Sequence, residues 1–297
     1  MQYIFKYCFW NIILSSKKIG LERDATMPET ERGSLVIIGG AEDKRADKAI
    51  LKEVIKLAGG EGASIALITT ATNSPVEVGL EYKRLFSELG ARSVVSINIT
   101  DRESANNIEG LKVLHDATCI FFVGGDQLRI SSILGGTEVH RIIRKQYEEG
   151  RVIAGTSAGA SMMSEIMVVE GKDEEAPRKC TLKMAPGMDL LAGVIIDQHF
   201  NQRGRIGRLL AAVAQNPNVL GIGIDEDTAM IVNKDLEFTV GGSGVVTVVD
   251  GRDISYTNIS EQHLDDPLAI TNVKIHILPK GYGFNLVKKQ EILKKQD

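Results

Sequence analysis

Leu35-Val36-Ile37-Ile38-Gly39-Gly40 (residues 35–40) is an unbroken apolar run closed by two glycines. A strand with one wet face alternates apolar and polar residues. This one does not, so it reads as a central strand covered on both faces, as in a parallel sheet. Downstream, Ala49, Ile50, Val54, Ile55 and Leu57 recur at helical spacing and stop at Gly59-Gly60. The alternation then repeats. Residues 64–68 read as a second strand, 80–89 as a helix, 93–99 as a third strand and 119–123 as a fourth. Residues 130–149 read as a helix broken at Gly135-Gly136, and 152–154 as a fifth strand.

This strand–helix rhythm specifies an α/β fold with a mostly parallel sheet flanked by helices. Right-handed crossovers then bring the carboxyl ends of the strands to one edge, where ligands bind in such sheets. The second half is more mixed. Residues 193–196 and 219–224 read as strands around a helix at 205–214. Beyond Ala229, residues 230–232, 237–240 and 245–249 read as antiparallel β-hairpins turned at Gly241, Gly242, Gly244 and Gly251. The expected organisation is one catalytic domain over 31–287, an extension over 1–30 and a charged tail over 288–297.

Composition narrows the function. The chain has 297 residues, 43% hydrophobic and 25% charged, with a formal net charge of −4. That is ordinary for a globular protein with a sizeable core. No Lys/Arg-rich run stands out, which argues against nucleic acid as a partner. Cys8, Cys119 and Cys180 are odd in number and widely spaced. That pattern reads as a reducing, cytoplasmic setting without a zinc site. Residues 1–16 are apolar and aromatic but interrupted by Lys6, too short to span a membrane, and not followed by an A-x-A cleavage site. The expectation is an extension from an upstream start, with Met27 the functional one.

The sharpest local signal is Gly155-Thr156-Ser157-Ala158-Gly159. It follows a strand and opens a helix, expected at 158–163, which is the context of a nucleophile elbow. Small neighbours let the chain turn sharply there, pushing the Ser157 hydroxyl into the cleft and aiming amide N–H groups beside it. A serine hydroxyl needs a base. Of the five histidines, His115 and His140 lie in charged helical stretches, and His263 and His276 lie away from strand ends. His199, in Asp197-Gln198-His199-Phe200, follows a strand at the expected edge. A carboxylate should hold that imidazole, and Asp225-Glu226-Asp227 follows the next strand. Alternation sets Glu226 opposite the other two without saying which side faces the histidine. Gly124-Gly125-Asp126-Gln127 reads either as a turn with Asp126 capping a helix or as a second oxyanion donor loop. Arg203, Arg205 and Arg208 crowd the start of the helix after His199, against its macrodipole, and guanidiniums there favour an anionic substrate.

Together, in this order, these motifs and Gly221-Ile222-Gly223-Ile224-Asp225-Glu226-Asp227-Thr228-Ala229 resemble the cyanophycinase/aspartyl dipeptidase family of serine peptidases. The resemblance runs from about residue 34 to about 285. It implies a three-layer sandwich like class I glutamine amidotransferase domains, a homodimer, and no metal or cofactor. It implies a triad of Ser157, His199 and Glu226, with oxyanion donors at the N–H groups of Gly125 and Ala158. Gln127, Asp197, Gln198, Arg203, Arg205 and Arg208 would form the substrate pocket, with Asp197 taking a guanidinium and the arginines taking carboxylates. The implied substrate is cyanophycin, a poly-aspartate backbone with arginine on each side chain, cleaved to β-Asp-Arg dipeptides. Short peptides with N-terminal aspartate are the alternative substrate, and a binding domain without activity is the alternative class.

Overall fold

In a computed structural model, residues 32–107, 111–171, 173–179 and 182–294 are described. The extension expected over 1–30, with Cys8, lies outside the described residues, as does Cys180. The apolar run that opens the domain is a strand, β1 (Leu35–Ile38), and none of its four side chains has exposed surface. The alternation follows as α1 (Ala49–Leu57), β2 (Ser64–Ile68), α2 (Pro75–Glu88), β3 (Ser93–Ile97), α3 (Lys112–Asp116), β4 (Cys119–Phe122), α4 (Gln127–Leu134), α5 (Glu138–Glu148) and β5 (Val152–Thr156). These five strands pair in parallel in the order β1-β5-β4-β2-β3. Helix α2 starts five residues earlier than expected, because Pro75 supplies the fixed φ of a first helical turn.

After β5 come a single helical turn, α6 (Ala158–Ser161), then β6 (Ser164–Gly171), β7 (Leu182–Pro186), β8 (Leu191–Gln198), α7 (Ile206–Gln215) and β9 (Leu220–Ile224). The expected helix over 158–163 ends early, and β6 and β7 were not foreseen. The chain continues as β10 (Thr228–Val232), β11 (Glu237–Gly242), β12 (Val245–Asp250), β13 (Tyr256–Thr257), β14 (Ile270–Thr271), β15 (Lys274–Pro279), β16 (Gly283–Asn285) and β17 (Gln290–Ile292). The last strand pairs with β16, inside the stretch read from the sequence as a tail.

The main difference from expectation is a second large sheet. Strands β10, β11, β16 and β17 extend the first sheet antiparallel beyond β1, making nine strands. Strands β15-β12-β9-β8-β6-β7 form a separate six-stranded sheet with β6, β8 and β9 parallel. The expected hairpin between 237–240 and 245–249 is therefore a crossing from one sheet to the other. Three apolar clusters fill the layers. Val36, Ile38, Leu51, Val54, Phe86 and Phe121 bury α1 and α2 against one face of the nine-stranded sheet. Ile37, Phe122, Ile142, Ile196, Ile222 and Met230 join its other face to α5 and the second sheet. Ile195, Leu209, Val213 and Val249 seat α7 on the second sheet. Burying each such side chain contributes roughly 1.5–3 kcal/mol before chain entropy is counted. The carboxyl ends of β1, β4 and β5 thereby meet those of β8 and β9.

Candidate active site

Ser157 follows β5 directly, with φ 54° and ψ −110°. A non-glycine residue held there costs on the order of 1–3 kcal/mol and persists only where its surroundings over-determine it. The surroundings do so: the Ser157 N–H donates to Ile38 O at 2.9 Å, and Ser157 O accepts from the N–H groups of Ala160 (2.9 Å) and Ser161 (3.1 Å). Gly155 is required beneath this turn, since a Cβ there would lie 2.3 Å from Gly159 O.

The Ser157 hydroxyl lies 3.0 Å from His199 Nε2, and His199 Nδ1 lies 2.6 Å from Glu226 Oε1. A carboxylate only accepts, so Nδ1 carries the proton and Nε2 is left to accept from the serine. Burial pushes the His199 pKa below 6.5, with Arg203 and Arg205 adding to the fall, while Glu226 pulls it up in part. The net result is a neutral imidazole near neutral pH, the form that can take a proton.

The other carboxylates of the acidic run have different partners. Asp225, which is buried, accepts from Asn201 N (3.1 Å), Asn201 Nδ2 (3.0 Å) and Val245 N (3.2 Å). Asp227 accepts from Asp43 N (2.8 Å) and Ser243 Oγ (2.7 Å). The Glu226 N–H donates to Gln202 Oε1 at 3.0 Å. Asn201 and Gln202 thus tie the turn that carries His199 to the turn that carries Glu226.

A single backbone segment indexes all three turns. Successive carbonyls of Ile38, Gly39 and Gly40 accept from the N–H groups of Ser157, His199 and Asp227, each at 2.9 Å. Gly40 also has φ +101°, and a Cβ on it would sit 2.3 Å from His199 Cε1. The glycine pair that closes β1 therefore serves the site as well as the turn. Sequence reading found the glycines but not this role, nor the roles of Asn201 and Gln202.

The expected oxyanion donors lie close by. Gly124 is near enough that a Cβ on it would be 3.4 Å from Ser157 Cβ. The N–H groups of Gly125 and Ala158 donate to no acceptor among the described residues. Asp126 is a helix cap, accepting from Leu128 N and Arg129 N. Gln127 Nε2 donates to Val168 O (2.9 Å) and Val169 O (3.2 Å), holding β6. Gln198 Oε1 lies 3.4 Å from the Ser157 hydroxyl.

The pocket expected from the charged residues is corrected in one respect. Asp197 has no exposed surface, and its oxygens receive Arg208 Nε (2.6 Å), Arg208 Nη2 and Arg205 Nη1 (3.4 Å). It is a counter-ion for this chain's own arginines and cannot reach a substrate guanidinium. Arg205 and Arg208 are buried too, and both also hold Asp173 Oδ1, at 2.9 and 3.3 Å. These partners explain how two cations are tolerated at the start of α7: their charge is neutralised locally. Arg203 is exposed, and its guanidinium makes no hydrogen bond or ion pair among the described residues. Among the described residues no cluster of three His, Cys, Asp or Glu side chains could hold a metal. No described helix is long and apolar enough to cross a membrane.

Three comparisons bear on this geometry. The model of peptidase family S51 matches residues 35–239, which contain the whole site. Proteins named cyanophycinase match over most of their length. The one from Geminocystis herdmanii is 41% identical over 87% of this chain and 96% of its own length. Those from Synechococcus elongatus and Trichormus variabilis are 41% identical (86% of this chain, 80% of theirs) and 39% identical (88% of both). Among solved structures, a peptidase from an acI-B1 Actinobacterium superposes with a TM-score of 0.63 at 23% identity, over 86% of this chain and 98% of that one. That likeness speaks for the fold, and the family match and the relatives speak for descent: the chain belongs to peptidase family S51 and is a serine peptidase, a hydrolase.

Proposed function

We propose that the chain hydrolyses cyanophycin, releasing β-Asp-Arg dipeptides through an acyl-enzyme on Ser157. The observation that carries the mechanism is the unbroken relay from the Ser157 hydroxyl through His199 to Glu226. The substrate class rests on the cyanophycinases that are about 40% identical over most of the chain. His199 Nε2 takes the serine proton as Oγ attacks a backbone carbonyl. Glu226 stabilises the imidazolium and keeps its orientation. The N–H groups of Gly125 and Ala158 receive the developing oxyanion. The imidazolium returns its proton to the leaving amine, and water then repeats the sequence to free the acyl group.

The substrate carries carboxylates and guanidiniums. Arg203 is the open cation beside the site. Arg205 and Arg208, buried and neutralised by Asp197 and Asp173, shape that side of the pocket rather than carry free charge into it. Gln127 and Gln198 line the approach. The homodimer and the cytoplasmic location that go with the family resemblance complete the proposal; light scattering and cell fractionation test them.

Purified protein incubated with cyanophycin should release β-Asp-Arg, and Ser157→Ala should reduce that rate by about 10⁴-fold or more. Full activity in the variant would remove the nucleophile assignment. Cleavage of short N-terminal aspartyl peptides with none of the polymer would replace the substrate.

A further inference from the structure

Glu42 is a buried carboxylate that the proposed mechanism does not use. It is 4% exposed, and its two partners are buried as well: Thr156 is 3% and Tyr82 2% exposed. Glu42 Oε1 accepts from the Tyr82 hydroxyl in a short contact, and Oε2 accepts from Thr156 Oγ1 at 2.6 Å. Burial and the Glu42 charge hold the Tyr82 phenol well above its ordinary range, so it stays a donor. Both bonds are charge-assisted, roughly twice as strong as neutral ones, and removing either donor leaves a carboxylate oxygen unsatisfied away from water. Tyr82 is itself locked by Phe121 and Phe86, with ring centroids at 5.1 and 6.1 Å, and Lys44 Nζ lies 4.2 Å over its ring.

The placement gives this cluster a purpose beyond stability. Thr156 is the last residue of β5 and directly precedes Ser157, whose backbone is strained. Glu42 lies two residues past Gly40, at the end of the segment whose carbonyls index Ser157, His199 and Asp227. The main-chain bonds fix residue 157 from the outside. The Thr156 hydroxyl is the side-chain tie on the strand leading into it.

We propose that Glu42 is a positioning residue for Ser157: through the Thr156 hydroxyl it locks the nucleophile's turn to the segment that indexes the base and the acid. This rests on Ser157 being the nucleophile. A shift of the serine oxygen by less than an ångström lengthens the 3.0 Å bond to His199, and displacements of this order reduce rates by about ten- to a hundredfold.

The test uses the full chain, assayed well below each variant's unfolding midpoint. Two readouts are followed: the labelling rate of Ser157 by a fluorophosphonate, and kcat and KM on cyanophycin. Thr156→Val keeps the shape and removes the donor; Glu42→Gln removes the charge; Thr156→Ser restores a hydroxyl. The expected result is a fall of about ten- to a hundredfold in labelling rate and kcat for the first two, with KM within about twofold, and Thr156→Ser within about threefold of the parent. Should Thr156→Val not fold, Glu42→Gln carries the test with the same thresholds. Parental labelling in folded Glu42→Gln or Thr156→Val would overturn the proposal. So would a loss in Thr156→Ser as large as in Thr156→Val, since packing rather than the hydrogen bond would then be the cause. Labelling of Ser157→Ala would instead overturn the nucleophile assignment on which the proposal rests.

Discussion

Replacing Glu226 by glutamine keeps the length and volume of the side chain and removes only its charge. In the parent, Glu226 Oε1 meets the Nδ1 proton of His199 at 2.6 Å. An amide can turn its NH₂ to the same point, and the imidazole then answers with the other tautomer, protonated at Nε2. That atom can no longer accept from Ser157 at 3.0 Å. Where a triad carboxylate is neutralised with its geometry intact, the cost is about 10⁴ in kcat. Here the Glu226 side chain is 36% exposed, so water can restore part of the hydrogen bonding, and a loss of about 10³ is expected, or about 4 kcal/mol in the barrier. The pH profile separates this from a general defect. Glu226 raises the His199 pKa against burial, so removing it lowers that pKa further. Activity needs the neutral imidazole and is lost as pH falls through its pKa. The acid limb, already below 6.5 in the parent, should therefore move to still lower pH in Glu226→Gln. The assay is kcat/KM on cyanophycin from about pH 5 to about pH 9. A plateau within about threefold of the parent, or an acid limb that moves upward, would refute the role given to Glu226.

Other outcomes follow from close contacts. Gly40→Ala places a methyl 2.3 Å from His199 Cε1 at φ +101°, so it should displace the ring and lower kcat by about a hundredfold while the fluorophosphonate label still identifies Ser157. Asp197→Asn leaves Arg205 and Arg208 buried with too little counter-charge; a loss of about 3–5 kcal/mol should appear as an unfolding midpoint lower by about 10 °C in calorimetry, and an unchanged midpoint would contradict the ion-pair reading.

The parallel half of the fold was legible because β1, β4 and β5 are short apolar runs that reach a glycine, and because Ile50, Leu51, Val54 and Ile55 of α1 form one buried face. Ser157 and His199 were legible as chemistry placed directly after strands. The choice among Asp225, Glu226 and Asp227 was not, because all three are partnered and only the turn geometry decides which one meets His199. Strands β6 and β7 were hidden because their residues do not alternate cleanly, and β6 carries an irregularity between Val168 and Glu170. The buried pairing of Asp197 with Arg208 was invisible for a related reason. The partners are on different elements, a strand and a helix, and spacing alone does not bring them together.

The three carbonyls at 38–40 give the molecule a built-in interlock. The earliest strand of the domain grips residues near 157, 199 and 227, and Asp225 is in turn held by Val245, more than two hundred residues after β1 begins. A chain that ends before β12 keeps the 38–40 carbonyls and every candidate reactive side chain, and loses the Val245 N–H that holds Asp225 at 3.2 Å next to Glu226. The turn that carries Glu226 is therefore anchored from both sides in sequence, by Gly40 long before it and by Val245 after it.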